Sequence, residues 1–421
     1  MRTTRTLVIG AGQAGLALSR CLRDRGHDHL LVERGRIAER WYSERWDSLR
    51  LLTPNWMTRL PGHAYDGPDP DGFMTAAETA AFLAGYAASF GAPVLEQTAV
   101  VSVTRDDGGF HVLTTDGPIR ADHVVVATGW CDVPAVPAAA GALDPSICQV
   151  VPRDYRNPDA LPDGNVLVVG ASATGVQLAD ELRRSGRQVT LAVGTHARVP
   201  RRYRGVDIFW WLDHIGAFDR TVDEVADVAA ARTEGSLQLV GSDDLREVDL
   251  PTLHAAGVRL VGRVRGADGH RVRVTTDLPA VAAAADDRLR ALLARIDEAI
   301  ETNGLASEVL DPEPVVGLPA LDVPDTLDLR AAGITTVVWA TGHRRRYPWL
   351  HVSVLDERGE IRQRRGMTPV DGLYVLGQRF QHHRNSNFID GVGRDAAFVA
   401  AHICAAGDRV APAHDLLALP R

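Results

Sequence analysis

The stretch TLVIGAGQAG, Thr6 to Gly15, decides the fold. Thr6 to Ile9 is a short apolar run of β-formers, as expected of a strand buried in a parallel sheet. Gly10 permits a sharp turn, and Gly12 has no side chain to obstruct a pyrophosphate. Gly15 lets the next helix pack closely on the strand. Gln13 and Ala14 open that helix, whose free backbone N–H groups and positive dipole end face the turn. Helical spacing continues through Leu16, Leu18 and Leu22, and Gly26 is placed to end it. A second strand, Leu30 to Val32, stops at Glu33 and Arg34. A carboxylate there accepts hydrogen bonds from a ribose 2′-OH and repels a 2′-phosphate. The unit therefore suits FAD or NAD and not NADP.

The same order returns at VLVVGASATG, Val166 to Gly175. Gly170 and Gly175 flank the turn, Ser172 replaces the middle glycine, and Ala173 and Thr174 lead into a helix running to Arg184. The following strand, Val189 to Val193, ends at Gly194 with no acid. Downstream, THARVPRRYRG carries Arg198, Arg201, Arg202 and Arg204. A missing acid with arginines nearby is what a 2′-phosphate requires, because a guanidinium binds phosphate in a bidentate way. Arg198 and Arg201 are the first candidates, and the reading is an NADPH site. The alternative is an ordinary solvated basic loop.

A chain of 421 residues leaves room for two to three domains. The net charge of −8 argues against a general nucleic-acid binder. No run of about 18 apolar residues occurs, so no membrane-spanning helix is expected. MRTTRTLVIG runs straight into the first strand and leaves no room for a signal peptide. Cys21, Cys131, Cys148 and Cys404 include no CxxC pair, which counts against a disulfide reductase and against a zinc site. A reducing, cytoplasmic setting is the simplest expectation. No oligomeric state is legible, and a homo-oligomer stays open.

TAAE at Thr75 to Glu78 is a capping-box signature before an alanine-rich helix. Val100 to Thr104 and Phe110 to Thr114 flank a DDGG turn and read as a hairpin. A strand followed by Ala127, Thr128 and Gly129 ends the first nucleotide unit, and TVVWATG at Thr336 to Gly342 repeats that pattern. The fold class is α/β with two Rossmann-like dinucleotide-binding domains. The expected division is a discontinuous FAD-binding domain, 1–150 and 331–421, around an NADPH-binding domain, 151–330. The inserted domain carries an amphipathic helix, Pro279 to Asn303, with proline in its first turn.

These residues resemble the bacterial flavin-containing monooxygenases. The resemblance spans nearly the whole chain: GAGQAG, RWDSLRLLTPNW at Arg45 to Trp56, ATGW, GASATG, TGHRRRYPWL, GLYVLG and SNFIDGVG. It implies FAD contacts from Gly10, Gly12, Gln13, Gly15, Glu33 and Trp41. Trp46, Thr53 and Asn55 would approach the flavin or its ribityl chain, and Val100 the adenine. Gly377 would lie near the ribityl phosphate, and Phe388 to Gly391, including Asp390, near the flavin pyrimidine. The implied chemistry is hydride transfer from NADPH to the flavin. Oxygen then adds as a C4a-hydroperoxide, which oxygenates a nucleophilic nitrogen or sulfur of a small substrate. Asn55 is the expected donor to that peroxide, with a turn role after Pro54 as the alternative.

One departure from the family's FxGxxxHxxx(Y/F) fingerprint stands out. Tyr155 matches its final aromatic, but Val151 replaces the histidine, and Pro145 and Ile147 stand at the earlier positions. Tyr155 in place of tryptophan disfavours a Baeyer–Villiger enzyme. An NADPH oxidase or reductase without oxygen transfer and a redox-sensing FAD-binding protein are the other readings. His382 and His383 are adjacent, a spacing that does not favour one shared metal, and no metal is expected. Phe209 to Leu212 could line a substrate entrance, but a buried helix face is the simpler expectation.

Overall fold

Two sheets, one mixed and one parallel, each with a glycine turn at the end of a central strand, organise the chain. The computed structural model describes residues 1–407, so the expectation for 408–421 lies outside the described residues. In the first sheet, β1 (Arg2–Ile9) pairs in parallel with β2 (His29–Val32), and β2 with β3 (Val94–Leu95). β4 (Val100–Asp106), β5 (Gly109–Thr114) and β6 (Gly117–Val126) form the expected hairpin extended into a meander. β6 lies parallel to β1 on its other flank, and the late strand Leu373–Val375 pairs in parallel with β6. The second sheet contains β7 (Cys148–Val150), β8 (Asn165–Val169), β9 (Val189–Ala192), β10 (Arg259–Val261) and β11 (Ile334–Trp339). Its strand order is β7-β11-β8-β9-β10, parallel throughout.

The helices cover these sheets as their apolar spacing requires. α1 (Gln13–Arg23) buries Leu16, Leu18 and Leu22 against α2 (Ala76–Ser89) and the last helix, Ile389–Gly407. Each leucine buried in this way contributes about 1.5–3 kcal/mol. The capping box of α2 forms, with Thr75 Oγ1 accepting from the Glu78 N–H. α3 (Ala173–Arg184) repeats the role of α1 in the second unit. α4 (Leu278–Thr302) is the anticipated amphipathic helix, burying Leu289, Leu293, Ile296 and Ile300. No helix among the described residues is long and apolar enough to cross a membrane.

The division at 150 and 331 needs correction in one respect. β7 and β11 belong to the second sheet, not the first. Buried parallel strands look alike in sequence, and the pairing partner is not written in the local run. The chain leaves the first sheet after Gly129 and starts back after Gly342. These two crossings run side by side, with His343 opposite Pro134 and Arg344 opposite Val133. Thr341 Oγ1 donates to the Ala135 carbonyl at 2.8 Å and helps hold the joint together.

Candidate functional site: two unequal nucleotide cradles

The first cradle forms at the carboxyl end of β1, where a parallel sheet places its ligands. Gly10 has φ +109°, and a Cβ there would lie 2.6 Å from the Ala127 carbonyl oxygen. A Cβ on Gly15 would lie 1.9 Å from the Gly10 oxygen, so only glycine allows this helix to start so close to the strand. Nothing lies within 4 Å of a Cβ on Gly12, which leaves the phosphate approach open. The Glu33 carboxylate is held by N–H groups of Ala11, at 2.9 Å, and Gly35, at 3.1 Å. A carboxylate has about four acceptor positions, so Glu33 keeps capacity for a ribose.

A cavity of about 360 Å³ opens from this turn. Gly10, Gly12, Gln13, Ala14, Glu33, Arg34 and Trp41 line it, with Val100, Ala127, Thr128, Gly129 and Gly377. Gly15 stands behind the wall, in the packing of α1. The structure adds lining residues that motif reading missed, notably Arg40, Arg45, Arg346 and Cys131. The charge-rich RWYSERW and HRRR stretches signalled cations, but not which of them face the cavity. Arg45 is half-buried on the cavity wall, donates to the Glu44 carbonyl at 3.0 Å, and lies 5.1 Å from the centre of the Trp41 ring. Among the described residues no carboxylate lies within ion-pair distance of it. A guanidinium facing the cavity without an anion is a ready partner for a pyrophosphate. The residues present therefore fit FAD.

Several residues expected at the flavin are not on this cavity wall. Trp46 is buried in the core of the second unit with Tyr155, Leu161 and Val166. The half-buried Thr53 is not among the lining residues. Phe388 packs on Phe218, with ring centres 5.9 Å apart, and Asp390 pairs with Arg59 at 2.5 Å. Asn55 is 4 % exposed; its Nδ2 donates to the Asp69 carbonyl and its Oδ1 accepts the Met74 N–H, both at 2.9 Å. Both ends of this buried amide hold the 69–74 loop; Nδ2 carries a second N–H, and the peroxide-donor role stays a proposal.

The second cradle repeats the backbone of the first. Gly170 has φ +108°, and its Cβ would meet the Ala340 oxygen at 2.4 Å. A Cβ on Gly175 would meet the Gly170 oxygen at 1.7 Å. The Gly170 N–H donates to Ala192 as Gly10 does to Val32, so Val193 is the counterpart of Glu33. Ala173 and Thr174 open α3, and Ser172 lies beneath Gly235, whose Cβ would come within 2.8 Å of its hydroxyl.

The two arginines expected at the 2′-phosphate are engaged elsewhere. Arg198 is 9 % exposed and pairs with Asp249 at 2.5 Å and Asp286 at 2.7 Å. Arg201 is fully buried, pairs with Asp207 at 2.7 Å and donates to the Leu52 carbonyl. A buried cation must be neutralised, and the carboxylates that neutralise Arg198 come from distant parts of the sequence. An exposed cation at the strand ends is Arg263, just after β10. Its Nη2 donates to Thr195 Oγ1 at 3.0 Å, and its Nε would lie 3.0 Å from a Cβ on Gly194.

Two further segments are placed by the fold. Tyr155 of the altered fingerprint is 1 % exposed in the second unit's core, with its N–H donating to the Val151 carbonyl. Phe209, Trp211 and Leu212 are the buried face of a short helix, Ile208–His214, while Trp210 is 39 % exposed.

Residues 7–205 match the protein family described as Pyridine nucleotide-disulphide oxidoreductase. The chain is 33% identical over 397 residues to the "Uncharacterized oxidoreductase CzcO-like" of Geobacillus kaustophilus, covering 93% of this chain and 96% of that protein. It is 30% identical over 211 residues to indole-3-pyruvate monooxygenase YUCCA1 of Oryza sativa, covering 48% of this chain and 51% of the relative. Its fold is similar to that of a flavin-containing monooxygenase from Stenotrophomonas maltophilia, with TM-score 0.65 and 19% identity. That match covers 97% of this chain and 100% of the other. With two glycine cradles, an FAD-fitting cavity and a relative matched over nearly its whole length, the chain belongs to the CzcO-like oxidoreductases.

Proposed function

We propose that the chain is an NADPH-dependent flavin monooxygenase. In this reading it transfers one oxygen atom of O₂ to a nucleophilic nitrogen or sulfur of a small organic molecule. The observation that carries this reading is the asymmetry of the cradles. One is closed by Glu33, the other by Val193 with Arg263 beside it. Glu33 would hold the FAD ribose, while Arg45 and the N–H groups of the first turn would hold its pyrophosphate. The second turn would take the NADPH pyrophosphate, with Arg263 and Thr195 at its 2′-phosphate. When bound, the flavin accepts hydride and passes electrons to oxygen; the protein positions the partners and keeps water out. Phe388, Phe218, Phe209 and Trp211 form an apolar cluster suited to that exclusion.

Disulfide reduction is disfavoured by the cysteines, which include no CxxC pair. Cys131 lines the cavity alone, and burial pushes its thiol pKa upward, which makes it a poor nucleophile. A second reading, an NADPH oxidase that releases hydrogen peroxide, is favoured by one observation: Asn55 is committed to its loop. Product accounting separates the two. The purified yellow protein is supplied with NADPH, air and a panel of amines, sulfides and ketones. Oxygenated product matching NADPH consumed is expected for at least one amine or sulfide. Hydrogen peroxide equal to NADPH consumed across the whole panel would overturn the monooxygenase reading.

A further inference from the structure

Helix Ile389–Gly407 and the loop before it bring three metal-ligating side chains together outside both cradles. The Ser386 hydroxyl accepts the N–H groups of His382 and His383, at 3.0 and 2.9 Å, and donates to the His383 carbonyl at 2.8 Å. This turn sets the two adjacent imidazoles on one side of the chain, with ring centres 4.1 Å apart and planes inclined by 40°. Asp395, on the helix, faces them. Its Oδ1 lies 3.1 Å from His383 Nδ1 and 4.0 Å from His382 Nδ1.

Two atoms in this group are buried without a partner: His382 Nδ1 and Asp395 Oδ2. The Asp395 side chain is 1 % exposed, and a carboxylate so buried is costly unless a cation meets it. The nearby arginines are directed elsewhere, Arg365 to Asp223 and Arg394 to Asp219.

We propose that His382, His383 and Asp395 bind one divalent transition-metal ion of the zinc class. Nδ1 of each imidazole and one carboxylate oxygen are the ligands. The three ligand atoms lie within 4.8 Å of one another, and an ion about 2.0–2.2 Å from each would draw the widest pair together by roughly an ångström. Two nitrogens and one oxygen suit Zn²⁺, Co²⁺ or Ni²⁺ and not Mg²⁺ or Ca²⁺. The histidine side chains, 13 % and 16 % exposed, leave a path for the ion and for a water as fourth ligand. The His382 carbonyl also accepts the Val222 N–H at 2.9 Å. The ion thus clamps the loop to the last helix at the point where the inserted unit touches both.

The test is a metal titration of the full chain after chelator treatment, with Zn²⁺ followed by calorimetry and Co²⁺ by its visible spectrum. One equivalent is expected to bind, unaffected by excess Mg²⁺. His383→Gln and His382→Gln should each weaken Zn²⁺ binding at least about tenfold. His111→Gln, which changes an exposed histidine elsewhere, should not. Retained flavin absorbance confirms that the variants fold, and the half-buried His383 position makes its variant the safer of the two. Equal Zn²⁺ affinity in wild type and both variants, or no stoichiometric binding in wild type, would overturn the site. The histidine pair and Asp395 would then be a hydrogen-bonded cluster only.

Discussion

The two glycine turns share a backbone and differ in what surrounds it. Both begin on a glycine near φ +109° that is pressed against the carbonyl of an Ala-Thr-Gly segment, and both need a glycine where the helix meets the strand. Sterics alone dictate these features, so they recur. The difference lies at the end of the second strand, where one unit has Glu33 and the other Val193 near Arg263. The cover differs too: Gly12 is open, whereas Gly235 crosses Ser172. Backbone geometry makes a dinucleotide cradle, and one or two side chains choose the dinucleotide.

The sharpest way to break this comparison is to damage each turn separately. Gly15→Ala drives a methyl into the Gly10 carbonyl, and Gly175→Ala does the same at Gly170. Each should cost about 1–3 kcal/mol of stability in urea unfolding. The first should yield colourless protein, while the second stays yellow with a raised KM for NADPH. Loss of FAD from both would remove the division of labour. Glu33→Gln removes a charged acceptor from the ribose, and flavin affinity should fall about tenfold to a hundredfold, measured by fluorescence on release.

Arg263→Ala sharpens the other side. Its kcat/KM for NADPH should drop roughly tenfold while that for NADH is unchanged. An equal loss with both nucleotides would mean that Arg263 does not meet the 2′-phosphate. The smallest effect concerns the Arg201 loop, which has no counterpart after the first turn. Burial raises the Glu247 carboxyl to about 7. A raised folded pKa contributes stability that is full below the unfolded value near 4.5 and is lost as pH rises through about 7. Glu247→Gln should therefore flatten the stability profile between those limits, a change on the order of 1 kcal/mol. Urea unfolding at pH 5 and pH 8 measures it.

How much was legible depended on how local the cause was. Turn, helix start and strand end are short-range, and Gly10, Gly12, Glu33, Ala127 to Gly129 and Gly377 line one cavity. Arg198 and Arg201 read as free cations because their partners, Asp249, Asp286 and Asp207, stand outside the motif. The clamp that Asn55 makes on its loop went unread because that loop starts at Asp69. β11 read as a first-unit strand, and β7 went unread, because pairing is a long-range choice.

The sequence by itself determined that two dinucleotide cradles exist and that the first ends in an acid. Those features rest on contacts between residues close in the chain, where a glycine or a carboxylate has one physical use. Only the tertiary structure decided which arginines are neutralised and which remain exposed. It also set His382 and His383 opposite Asp395. A charge reveals its role only when its surroundings are known, and those surroundings come from distant segments brought together by the fold.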